Sequence, residues 1–485
     1  MSFFDNSPGF MLDKIILASK QEGRNLQMPG DGRYQPEELR PFLGYDQQAS
    51  WLILVEYEWL QVLCELGVIP REEWELFTPA LFERLVVNIS TTLQDKKERD
   101  TNHDIIALTS LMKEILPEPL HKWLHFCATS YDIINTAYAL QIKETFRRVV
   151  WPALVELDTL WREQIKLHAA TLQAGRTHLQ TALPITVGCW LANLHNRFAE
   201  VSNHALNLSG EVPGKFSGAV GTSASQAVLL PDLSGEGRLL SNLGLLDPGV
   251  STQITPPEGA ARFYFELVLL SGVLGNLGED VRILQSSPFG ELKTASSTSS
   301  AMSHKTGNPI AAEQLAGMHT TVLAENLKVQ LNLVSDLQRD LRGSSVMRSY
   351  SAVMVYTFQQ IKTAIRLLKS LVVDPVCCGV NFRKSGRLVT AELLHLELQR
   401  LGFPDAHKFV NEKIVPKAIE AGKSLGEFFP EIIDATRYNE ELYHRVQKAL
   451  PESPIIQYLK EPNLYIGQAI QIAEKEAGNN LALLE

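Results

Sequence analysis

Five stretches of this chain, residues 133–172, 185–208, 259–284, 310–337 and 352–373, repeat apolar side chains every three or four positions with few internal glycines or prolines. That period marks an α-helix with one apolar face, and helices this long cannot hide such a face alone. They must lie side by side as rods of a bundle, which predicts an all-α fold. Shorter helical patterns flank them: in "TNHDIIALTSLMKEIL", Ile105, Leu108, Leu111, Met112, Ile115 and Leu116 keep the same spacing. A chain of 485 residues is too long for one small core. The proline-bearing breaks "ILPEPLHKW" (115–123) and "VVDPVCCGVNF" (372–382) predict an N-terminal helical domain at 1–118, a central rod bundle at 119–373 and a C-terminal helical domain at 374–485. Strand alternation is scarce, and a short hairpin is expected only in the Gly/Pro-rich stretch 211–255.

Composition narrows the function classes. No apolar run reaches the roughly 18 residues of a membrane span. The start "MSFFDNSPGF" lacks a basic patch followed by an apolar core, so a cytoplasmic protein is expected. Cys64, Cys127, Cys189, Cys377 and Cys378 match neither a zinc site nor a disulfide framework. A formal net charge of −10 argues against nucleic acid as the main partner. An anionic small molecule remains compatible, because a few arginines can dominate one cleft.

Polar motifs punctuate the helical pattern. In "TNHD" Thr101 stands three before Asp104, and in "TSYD" Thr129 stands three before Asp132. Each resembles a capping box, a hydroxyl and a carboxylate that satisfy backbone N–H groups at a helix start. The same free N–H groups can instead bind an anion, with His103 and Ser130 as extra donors. "AGRTHLQTALP" places His178 among Arg176, Thr177 and Gln180, outside any helical period. "PGKFSGAVG" sets Lys215 before glycines that let backbone approach a ligand closely. "QRDLRGSSVMR" gathers Arg339, Arg342 and Arg348 around Ser344 and Ser345, donors suited to a phosphate or carboxylate. "KTASSTSSAMSHKTGNP" is a hydroxyl-rich loop ending at the helix start Asn308-Pro309.

In chain order, "GRY" (32–34), "TNHD", "TSYD", "GRTHLQ" (175–180), "KFSGAVG" (215–221), "TQI" (252–254), "SSAMSHKTGNP" (299–309), "QRDLRGSSVMR" (338–348) and "NLYIGQA" (463–469) resemble the fumarase/aspartase superfamily, closest to its adenylosuccinate-cleaving branch. The resemblance implies a three-domain helical fold whose long helices form a homotetramer core, with active sites shared among subunits. It implies β-elimination of fumarate from adenylosuccinate to leave AMP, with the analogous imidazole-carboxamide step of purine synthesis left open as a second reaction, and no metal or organic cofactor. By match to the motifs, Ser299 is the base, with Ser300 its neighbour in the alignment and Met302 in the same loop, while Lys305 and Asn308 hold the fumaryl carboxylates. His178, flanked by Thr177 and Gln180, matches the general acid. His103, with Asn102 and Asp104, matches residues that position or polarise near that acid. Thr129 and Ser130 would bind a succinyl carboxylate, Lys215 the dicarboxylate region, and Gln253 the succinyl or purine portion. Arg33, Tyr34, Arg339, Ser344 and Arg348 match the nucleotide-phosphate cluster.

The loop departs from the usual pattern: Thr298 stands for a glycine, Ser303 for a proline, and one extra residue precedes Asn308. These departures leave two alternatives open, a superfamily lyase for another N-succinyl or argininosuccinate-like substrate, and a catalytically quiet homologue.

Overall fold

The computed structural model describes residues 34–295, 307–338 and 342–482. The N-terminal part packs α1 (Gln48–Glu65) against α2 (Thr91–Thr101) and α4 (Ser130–Thr145), with α3 (Asp104–Ile115) packed on α2. Helix α1 buries Leu52, Ile53, Trp59, Leu60 and Leu63, and its Trp59 stacks on Phe216 from a distant loop.

The rods come next. Helix α4 runs without a break through the wide turn Phe146–Val150 into α5 (Trp151–Leu167). Pro152 has no N–H for the helical ladder, and the turn just before it widens to absorb the loss. The remaining rods are α6 (Val187–Ser209), α7 (Glu258–Gln285), α8 (Ile310–Leu331) and α9 (Ser351–Ser370), with α7 packed against α6, α8 and α9. Gly278 lets α7 and α8 approach closely, since a Cβ there would stand 2.5 Å from the Ala312 carbonyl oxygen. All five predicted rods are present, with ends moved by a few residues.

Among the described residues, strands occur as two short antiparallel pairs. One is β1 (Leu172–Thr177) with β2 (Gln180–Thr186); the other is β3 (Leu292–Lys293) with β4 (Val372–Val373). The hairpin expected within 211–255 is therefore misplaced. That stretch holds the short helices Ala224–Leu229 and Gly235–Asn242 and a lone bridge from Pro213 to Leu246. Its glycines and prolines serve loops between helices rather than a turn between strands.

The buried apolar side chains form three clusters. One lies around α1 and α3, one runs along the rods, and one, from Leu394 to Leu459, is built by the helices after α10 (Pro375–Ser385). The last described helix, α11 (Ala469–Ala477), returns to the rods and adds Ala473 to their core. No helix among the described residues is long and apolar enough to cross a membrane.

Candidate active site

Two helix starts meet at one end of the rods. At the start of α4, Thr129 and Asp132 form the expected capping box, in which the Thr129 N–H donates to Asp132 Oδ2 at 2.8 Å. At the start of α3 the expected box does not form. Thr101 belongs to the end of α2, and Asn102 turns the chain through the left-handed region (φ 53°), as asparagine tolerates. His103 becomes the cap instead, its Nδ1 accepting a long 3.4 Å bond from the Ile106 N–H.

The other ring nitrogen, Nε2, lies 3.1 Å from Ser130 Oγ, with donor and acceptor set by the tautomer. In the tautomer whose Nδ1 accepts from Ile106, the Nε2–H donates to Ser130 and leaves the hydroxyl hydrogen for another acceptor, such as a substrate carboxylate. Asp104 sits beside the ring, with Oδ1 3.5 Å from His103 Nδ1 and Oδ2 3.3 Å from Arg348 Nη2. Arg348 is 62% exposed, so this pair is an open one that an incoming anion can replace.

Other predicted residues gather nearby. Tyr34 precedes Gln35, which lines a cleft of about 540 Å³ together with Arg40, Tyr45 and Ser351. A smaller pocket of about 140 Å³ shares Tyr45 and Ser351 and is floored by Asp104, Tyr138 and Arg348. Ser344 lies one turn before Arg348 on the short helix Arg342–Met347. The Gln253 N–H donates to the Gln338 carbonyl at 3.2 Å, which brings its segment to the arginine-bearing loop. Lys215 requires a correction. It is fully buried and ion-paired with the equally buried Asp132, so it cannot itself face a substrate carboxylate.

His178, Thr177 and Gln180 are elsewhere. The β1–β2 hairpin presents all three at its exposed tip. Both turn residues, His178 (φ 54°) and Leu179 (φ 59°), adopt the left-handed conformation of a two-residue hairpin turn. Neither is a glycine or asparagine, so the tip stores strain, as functional turns often do. The base of the hairpin is rigid. Arg176 pairs with the buried Glu291, which also accepts from Gln173 at 3.2 Å and from Asn381 at 2.9 Å. Asn308 lies at this same end, next to Gly307, whose carbonyl accepts from Gln285 at 3.0 Å. Because α4 and α5 form one continuous helix, this end is roughly 55 Å from Ser130 at 1.5 Å per residue. Within one chain, His103 and His178 do not meet. Arg33, Ser299, Ser300, Met302, Lys305 and Arg339 lie outside the described residues.

Sequence reasoning missed two supports of the site. Glu56, buried in α1, accepts from both the backbone N–H of His125 (3.1 Å) and its Nδ1 (2.8 Å). This braces the loop that leads into Thr129. Burial pulls the His125 pKa down, but the Glu56 hydrogen bond and charge, helped by Asp132 and Asp104, outweigh it and leave the pKa raised. Tyr138, half-buried near Arg348, has its hydroxyl pushed up to about 12 by burial. Glu56 stands 69 positions from its partner, a separation that local sequence patterns do not register.

Comparison with known proteins bears on this arrangement. The profile of the lyase family matches residues 59–324. The chain is 31% identical over 469 residues to the adenylosuccinate lyase of Pyrococcus abyssi, covering 92% of this chain and 96% of that one. The chain belongs to the adenylosuccinate lyase family. The family's Methanocaldococcus jannaschii member is 29% identical over 461 residues, covering 92% of this chain and 94% of its own. The fold also matches the crystal structure of a fumarate lyase from Mesorhizobium sp. BNC1, with a TM-score of 0.77 at 22% identity over 92% of this chain and 99% of that one. Membership in the adenylosuccinate lyase family accounts for the ordered series of polar motifs at both ends of the rods.

Proposed function

We propose that this chain is a carbon–nitrogen lyase of purine nucleotide biosynthesis that eliminates fumarate from adenylosuccinate to leave AMP, and that it performs the same elimination on the succinylated imidazole-carboxamide ribotide. The observation that carries the detailed reading is the division of the site residues between two ends of one long bundle. Each end alone lacks half of the chemistry. Antiparallel packing of rods from several copies would bring a His103 end against a His178 end, so the active unit is a homotetramer with shared sites. An exposed apolar stripe on α8, Leu323, Leu327 and Leu331, supports such packing, with Leu331 70% exposed. The three buried clusters support the division into domains at 1–118, 119–373 and 374–485, with α11 folded back onto the rods.

In this assembly Ser299 removes the carbon-bound proton beside a carboxylate, the hard step of the reaction. Lys305 and Asn308 hold the doubly charged intermediate, with Ser300 and Met302 in the same stretch of the sequence. His178 protonates the departing nitrogen. Thr129 and Ser130 take a succinyl carboxylate at the start of α4, where backbone N–H groups favour an anion. Asn102, His103 and Asp104 orient the reacting end, Thr177 and Gln180 flank the acid, and Gln253 meets the succinyl or purine portion. Arg33, Tyr34, Arg339, Ser344 and Arg348 receive the phosphate, which displaces Asp104 from Arg348. The pocket of about 140 Å³ is below the ~300 Å³ of a typical small ligand cleft, so a nucleotide needs walls from beyond it. The test is fumarate release followed by absorbance, with adenylosuccinate and argininosuccinate side by side. Release from adenylosuccinate alone is expected; preference for argininosuccinate would refute the assignment.

A further inference from the structure

The pair Lys215–Asp132 is buried, charged and adjacent to the start of α4, yet neither group reaches the site surface. Asp132 divides its two oxygens. Oδ2 accepts from the Thr129 N–H at 2.8 Å, and Oδ1 accepts from Lys215 Nζ and from the Gly218 N–H at 3.1 Å. Lys215 Nζ also donates to the Gly218 carbonyl at 3.0 Å, while Thr136 Oγ1 clamps the Lys215 backbone at both its N–H (3.0 Å) and its carbonyl (2.7 Å). The glycine loop is tied onward, by Ser217 to Ser251 at 2.6 Å and by the close approach of Gly221, where a Cβ would lie 2.0 Å from the Ser251 carbonyl oxygen. One ion pair thus joins Thr129, the loop 215–221 and the segment that carries Gln253.

Its electrostatic role follows from position. A carboxylate is the best cap for Thr129, but its negative charge lies directly beneath the helix start that is to receive a substrate carboxylate. Uncompensated, that charge would repel the substrate through a poorly screening interior. We propose, on the basis of the activity given above, that Lys215 and Asp132 are positioning residues: Asp132 fixes the Thr129–Ser130 anion cradle, and Lys215 cancels its charge so that the cradle binds a dicarboxylate. Lys215 acts on the substrate through Asp132 and not by contact.

The experiment compares Lys215→Met with the double variant Lys215→Met/Asp132→Asn, reading KM and kcat for adenylosuccinate and the binding of fumarate by calorimetry. Lys215→Met leaves the charge of Asp132 bare, and KM should rise about tenfold or more with a smaller change in kcat. The double variant removes both charges and keeps the shape; its one amide oxygen accepts from the Thr129 N–H, and the Gly218 N–H loses its acceptor. Its KM should return to within about threefold of wild type. A lysine that binds substrate directly predicts no such recovery, and a purely structural pair predicts that Lys215→Met loses stability and kcat rather than showing a selective rise in KM. A double variant as weak as Lys215→Met overturns the proposal. If Lys215→Met does not fold, the double variant decides alone: near-wild-type KM supports the proposal and a tenfold loss refutes it. Should the wild type release no fumarate from adenylosuccinate, the functional reading fails, and the same comparison of fumarate affinities still judges the pair.

Discussion

At one end of the rods, His103 is held in place by a backbone N–H, Ser130 and the flank of Asp104, above a floor of buried charge. At the other, His178 stands exposed on a strained two-residue turn, and among the described residues no side chain bonds to its ring. The first end is organised before any ligand arrives; the second is a rigid stalk with an unpartnered tip. That contrast fits a division of labour. A cradle for two negative charges must be preorganised, because reorienting dipoles during reaction costs rate. On the proposed reading, the general acid finds its partner across an interface, and a hairpin tip offers reach without loosening the core.

The contrast can be broken most forcefully at the tip. Replacing His178 by alanine should lower kcat by about 10³-fold with assembly and melting temperature unchanged, the usual scale for losing a positioned acid; steady-state kinetics beside a thermal melt would check both. An undiminished rate would remove it as the acid. At the stalk, Arg176→Met would strand the buried Glu291 and should cost about 3 kcal/mol of stability, read by denaturant unfolding. Activity should fall with it, since the tip loses its anchor. At the cradle end, Arg348→Ala should raise KM by about tenfold while kcat stays near wild type, because the pair it forms with Asp104 is open and, on the proposed reading, the substrate phosphate takes Arg348 from it.

The smallest effect concerns pH. The folded-state pKa of His125 is raised, so its contribution to stability is complete below the ordinary histidine value of about 6.5 and is lost as pH rises through the raised value. Wild type should therefore lose a few degrees of melting temperature, relative to Glu56→Gln, between mildly acidic and mildly alkaline buffer. Parallel melting curves for the two proteins would contradict this.

Local pattern made the rods and one of the two helix starts legible. The Thr129–Asp132 box forms as written, because nothing between the two residues interrupts the helix. The matching Thr101–Asp104 pattern fails because Asn102 accepts a left-handed backbone and ends α2 between them. The β1–β2 hairpin was missed because His178-Leu179 carries no turn signature; tertiary anchoring through Glu291 imposes the turn. Lys215 was misjudged for a related reason. Its partner lies 83 positions away, and a lysine near glycines looks the same in sequence whether it faces a ligand or a buried carboxylate.

The central claim is that each active site draws His103 and His178 from different copies of the chain. Co-expressing His103→Ala with His178→Ala, each inactive alone, tests it directly. Random mixing in a symmetric oligomer should place both intact histidines in about a quarter of the sites, restoring about a quarter of wild-type fumarate release. A hybrid preparation no more active than its two parents, or a monomer with full activity, would contradict the account.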